Sequence, residues 1–151
     1  MLARHMTTVH IVLGVAVVAA NLAAGLYGGW AWWRWTVPTG FWPLLRTAQA
    51  LVAAQAVLGG VLLVLGKDLP RLHLVYGLTP LAVAFFAEQL RAVAAQTELD
   101  RRELRGREDV ARLSEDDQRL LVEAIVRREI GVMAASALVV AGLGVRASGW
   151  F

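Results

Sequence analysis

Two histidines stand at matching places in the chain. His10 opens the apolar run "HIVLGVAVVAANLAAG" and His73 opens "HLVYGLTPLAVAFF", and each is followed one helical turn later by a glycine, Gly14 and Gly77. Imidazole is a metal ligand, a hydrogen-bond donor and acceptor, and a group that titrates near neutrality. A pair of such rings at corresponding positions therefore raises the question of a shared partner. His5 lies in the N-terminal tail and carries no such constraint. Little else in the chain points to chemistry. With no cysteine, disulfides, thiolate metal sites and thiol redox reactions are excluded. No glycine-rich phosphate loop, Ser-His-Asp pattern or metal-ligand cluster rises above chance.

The elements that must position the two rings are membrane helices. Hydrophobic residues make up 58% of the 151-residue chain and the mean hydropathy is +0.55, well above a typical soluble domain. Most of the charge is gathered in one block between Glu88 and Glu129. A span needs about 20 apolar residues to cross about 30 Å of hydrocarbon, and four segments qualify: 9–29, 43–66, 72–95 and 130–146. The second carries Arg46, Gln49 and Gln55; the third contains Thr79-Pro80, and proline within a helix removes a backbone bond and favours a kink. The fourth is short and is expected to be lengthened by the helix before it, with Arg127 and Arg128 snorkelling to the interface. The expected fold is all-α: a single four-helix transmembrane bundle with a long cytoplasmic helical extension before the fourth span.

Between the first two spans lies "WAWWRWTVPTGFWP", with five of the six tryptophans: Trp30, Trp32, Trp33, Trp35 and Trp42. Indole favours the headgroup level, so this is an interfacial belt around a short turn. Between the last two spans, 96–128 is a charged loop whose Ser114-Glu115-Asp116-Asp117 has the form of an N-cap with an acidic first turn. Leu120, Leu121, Ala124 and Ile125 then form an apolar stripe, so one helix is expected from about 115 to 146. The net charge is only +3, and a pI near 10.2 reflects arginines diluted by carboxylates; it orients the protein in a bilayer and does not indicate nucleic acid. Arg4, Lys67, Arg71 and Arg146 fall on one side, and Arg34, Arg46, Arg91 and the cluster from Arg101 to Arg128 on the other. The positive-inside rule then expects a multi-pass protein of the cell (cytoplasmic) membrane, with the tryptophan turn and charged loop inside and both termini outside. The N-terminus has the outline of a signal peptide, but its apolar stretch is long for one and is expected to be a retained helix.

In this topology the first and third spans run in parallel, so His10 and His73 lie at similar depth near the same face. Two neutral imidazoles facing each other across a helical bundle can supply the axial ligands of a haem iron. Gly14, Gly59, Gly60 and Gly77 admit a bulky planar group. Arg71 and Lys67 sit at the same lip, where they can pair with propionates, and Tyr76 lies on nearly the same face as His73. The plainer reading makes the glycines helix-packing residues and the histidines interface anchors. Asn21, Gln49 and Gln55 are costly in lipid and should face the interior, and Glu88 with Arg91 reads as an interfacial ion pair.

The segments His10-Ile-Val-Leu-Gly14, Gln55-Ala-Val-Leu-Gly59-Gly60 and Leu72-His73 together resemble one four-helix half of the haem A synthase family of membrane cytochromes. The resemblance covers roughly 9–86. It implies haem ligation by His10 and His73 at the outer face. The family's catalytic half has an acidic residue one turn before its first histidine and an arginine after it, where this chain has Thr7 and Ile11. The cysteine pair of many members is absent, and one bundle stands where the family has two. The resemblance therefore implies a cofactor-holding bundle, or a homodimer that rebuilds the two-bundle layout, and not haem-oxidising activity.

Two functions are expected to compete. One is a bis-His b-type haem bundle serving electron transfer, haem handling or respiratory-complex assembly, and not itself expected to be an enzyme. The other is a cofactor-free structural or assembly subunit whose charged loop docks a partner. A small-solute transporter or channel finds little support, since there is no intramembrane carboxylate and no clear inverted repeat with broken helices.

Overall fold

The computed structural model describes residues 2–66, 68 and 70–149, with side chains from His5 onward. Five helices follow one another: α1 Leu2–Trp33, α2 Phe41–Val64, α3 Arg71–Arg101, the short α4 Arg107–Ala111, and α5 Glu115–Ala147. Among the described residues there is no strand, and α1, α2, α3 and α5 are the four helices long and apolar enough to cross a membrane.

The helix ends follow from local chemistry. Ser114 caps α5: its hydroxyl accepts from the Asp117 backbone N–H at 3.2 Å and donates to the Asp117 carboxylate at 2.7 Å. Glu115, Asp116 and Asp117 in the first turn complement the helix dipole. Gly66, at φ +78°, closes α2 with its N–H on the Leu63 carbonyl, a left-handed cap that glycine adopts without a Cβ penalty. Pro70 precedes α3, which passes through Pro80 without a break. The 33 residues of α5 extend about 50 Å at about 1.5 Å each, some 20 Å beyond the hydrocarbon thickness. The expected extension before the fourth span is thus one continuous helix. α3 also runs past the expected end of its span to Arg101, so only short irregular stretches flank α4.

α5 packs along both α1 and α3; α2 lies on α1 and meets α3 and α5 only sparsely. The α1–α5 seam is close because glycine occupies its contact points. A Cβ on Gly25 would stand 2.6 Å from Leu138, one on Gly131 2.8 Å from Trp32, and one on Gly144 2.7 Å from Val18. Such seams let membrane helices gain dispersion contacts where no hydrophobic drive separates protein from lipid. Phe41, Leu45, Ile130, Met133 and Ala134 fill the larger core cluster near the tryptophan turn. A smaller one, Val17, Val52 and Val140, lies further along. Apolar side chains such as Ile11, Val57, Val64, Phe85 and Phe86 remain exposed on the outside, where a soluble bundle would be polar.

Polar interior residues divide two ways. Gln49 and Gln55 bond across helices, but Asn21, although buried, donates to the Val17 carbonyl of its own helix at 2.9 Å. Glu88 is more than half of a local pair with Arg91. It also takes Arg46 and Gln49 from α2, which ties α2 to α3 where their apolar contact is thin.

Candidate functional site

Both core clusters stop short of one end of the bundle. Two helical turns beyond Val17 on α1, and one turn beyond Val52 on α2, the interior changes from aliphatic to polar and small: His10, Gly14, Gln55 and Gly59, joined by His73 from the first turn of α3. α1 and α3 sit diagonally across the bundle, so the two imidazoles meet across its middle. Their ring centres are 6.0 Å apart, with planes at 56°.

Each ring is held by one nitrogen. His73 Nδ1 lies 3.0 Å from the carbonyl oxygen of Ala147, the last residue of α5. A carbonyl only accepts, so Nδ1 carries a proton, and in the neutral ring Nε2 keeps the lone pair. Nε2 has no hydrogen bond among the described residues. His10 Nε2 lies 3.2 Å from the Gln55 side-chain amide. Its Nδ1 is buried without a partner, and so is Gln55 Oε1. With the amide as placed, Gln55 donates to Nε2 and the Nδ1–H is an orphan donor, at a cost of about 1–3 kcal/mol. A half-turn of the amide makes Oε1 the acceptor of an Nε2–H and turns Nδ1 into an open lone pair. The site thus presents two imidazoles, each with one nitrogen anchored by protein and one without a protein partner.

The glycines here have unequal roles. A Cβ on Gly59 would stand 3.2 Å from His10 Cε1, and one on Gly14 3.1 Å from Gln55 Nε2, so both make room for the polar pair. Gly60 and Gly77 face open space. Tyr76 is half-buried beneath the Arg146 guanidinium, 5.7 Å from its ring centre. Arg71 is exposed and makes no ion pair among the described residues, and Lys67 lies outside the described residues. His5 is exposed and takes no part. Of the expected residues, the structure brings together His10, His73 and Gly14, with Tyr76 one turn below His73 and Gly77 turned away. The Ala147 carbonyl was missed: a main-chain acceptor leaves no mark in the residue code. Gln55 was visible as a costly polar group, and its partner became clear only with the helix pairing.

The opposite end carries the tryptophans and the charge. Arg127 donates from Nε to the Trp32 carbonyl at 3.0 Å and stacks on Trp35, 3.3 Å from its ring centre. Trp42 packs beneath Arg91 at 5.3 Å. No group of three or more His, Asp or Glu side chains able to hold a metal ion occurs among the described residues. No protein-family model, curated protein or solved structure matches the chain.

Proposed function

We propose that the His end of this bundle binds one haem, ligated by His10 and His73, and that the protein serves electron transfer, haem handling or assembly of a respiratory complex in the cell membrane. The observation that carries this reading is the pair of half-anchored imidazoles. The ring centres stand 6.0 Å apart, close enough that one metal ion between them would be within reach of both imidazoles. Ligating histidines characteristically donate the second ring N–H to a carboxylate, a carbonyl or water, as His73 does to Ala147 and as His10 does to Gln55 once the amide oxygen faces Nε2. These contacts are what supports the reading.

With no cysteine in the chain, thioether attachment is excluded, so the haem would be non-covalent, as a b-type haem is. Haem bound there supplies a one-electron couple. The chain's own contribution is orientation: the Ala147 carbonyl sets the His73 tautomer, Gln55 sets that of His10, and Gly59 and Gly14 keep the space beside them clear. Arg71 and Arg146 give the same lip positive charge for propionates. The charge pattern orients this end, with both termini, to the outside. The likeness to one half of the haem A synthase family agrees in its histidine pair. A homodimer would restore that family's two-bundle layout.

Titration of detergent-purified protein with hemin tests this reading. One equivalent should give a Soret band with sharp reduced α and β bands, lost in His10→Ala and in His73→Ala while helicity is retained. No spectral change on addition of hemin would overturn it. The charged segment around α4 would then become the functional surface of a cofactor-free assembly subunit.

A further inference from the structure

A second binding feature lies at the tryptophan end, independent of the histidines. α1, α3 and α5 enclose an open groove of about 680 Å³, within the range of small-molecule pockets, about 300–1,000 Å³. Its floor is small, with Gly131 and Ala135 of α5, and its walls include Trp32 of α1 and Val93 of α3. At its mouth stands Arg128. Buried Glu98 receives three guanidinium groups there: Arg101 at 3.8 Å, Arg102 at 3.5 Å and Arg128 at 3.5 Å. One carboxylate compensates one of those charges, so two remain in surplus. The ion pairs are long, and the Arg101 and Arg128 side chains are 67% and 41% exposed, which leaves donors free on both. Arg101 lies one turn past the groove-lining Thr97 on the same face of α3. The Trp32 indole N–H has no hydrogen-bond partner among the described residues, and indole favours the headgroup level.

We propose that this groove binds an anionic phospholipid, with an acyl chain lying over Gly131 and Ala135 and the phosphate held by Arg128 and Arg101. Charge complementarity names the occupant. An apolar trough open to lipid fits an acyl chain, and a surplus of two guanidinium groups at its headgroup end selects a phosphate with net negative charge. A zwitterionic headgroup brings its own cation and gains less.

Native mass spectrometry of the full chain, released from micelles doped with either palmitoyl-oleoyl phosphatidylglycerol or the phosphatidylcholine of the same chains, tests this. One phosphatidylglycerol per chain should survive, in clear preference to phosphatidylcholine. At about 1 kcal/mol per arginine near the surface and 1.4 kcal/mol per tenfold, Arg128→Gln and Arg101→Gln should each weaken retention about fivefold. Ala135→Phe, on an exposed groove position, should block it without touching a charge or the core. Glycerol phosphate in excess should not compete, because it lacks the chain; full competition would assign the arginines to a soluble anion and overturn the proposal. Equal retention of both lipids, or unchanged retention in Ala135→Phe with helicity intact, would also overturn it. So would a dimer that Ala135→Phe dissociates, since the groove would then belong to a second copy of the chain.

Discussion

Replacing Gly59 with valine isolates the role of the space beside His10. A Cβ at Gly59 already stands 3.2 Å from His10 Cε1 and 3.9 Å from Nδ1, and the two methyl groups of valine reach about 1.5 Å further in a staggered rotamer. The ring has little room to retreat. Its far nitrogen is against Gln55 at 3.2 Å, and Gln55 in turn lies against Gly14. Overpacking of this kind costs about 1–3 kcal/mol. In a chain of this size about 2 kcal/mol lowers Tm by about 4–8 °C. A ligand displaced by more than about 0.5 Å also leaves productive geometry, so haem uptake should fall far more than stability does. Gly60→Val is the control: its Cβ meets nothing within 4 Å, and valine exceeds glycine in helix propensity by a few tenths of a kcal/mol. Thermal unfolding in micelles, with hemin titration of both variants, reads the difference. Equal Tm and equal haem uptake in Gly59→Val and Gly60→Val would refute the placement of His10 against α2.

Other perturbations address the scaffold. Gly28→Ala should destabilise by a net of about 1 kcal/mol, since the new methyl falls on the buried Phe41 ring and 2.8 Å from Ala134, and overpacking outweighs the gain in helix propensity; Gly29→Ala, with nothing within 4 Å, should be neutral or stabilising in the same unfolding assay. Arg127→Ala removes a guanidinium that stacks on Trp35 and bonds the Trp32 carbonyl, at about 1–2 kcal/mol, and should shift tryptophan emission to longer wavelength; an unchanged spectrum would show the stack is not formed. Ser114→Ala should cost about 1 kcal/mol and speed amide exchange in the first turn of α5 without changing exchange around Ile130.

The four long helices were legible because apolar length decides a span, and the start of α5 because Ser114 and three acidic residues spell a cap. The facing of His10 and His73 was legible in outline: parallel spans place their first turns at one depth. Other features came from distant parts of the chain that no local pattern joins. His73 and the Ala147 carbonyl are brought together by the α3–α5 packing, and Arg46 and Gln49 reach Glu88 from α2. The charged segment 96–128 was expected as a loop, yet Glu98 within it is buried at 3% exposure beneath three arginines, because α3 continues beyond its apolar stretch and lays that turn against α5. Asn21 faces the interior, as its cost in lipid requires, but its short amide bonds one turn back on its own helix and not to a neighbour.

The most direct test is low-temperature electron paramagnetic resonance of the ferric, hemin-loaded protein. Ligation of one iron by both histidines requires a low-spin, six-coordinate signal in the wild type, and conversion to high-spin or loss of haem in both His10→Ala and His73→Ala. A wild-type signal that is high-spin, or one that survives unchanged in either single variant, would contradict a shared iron between the two rings.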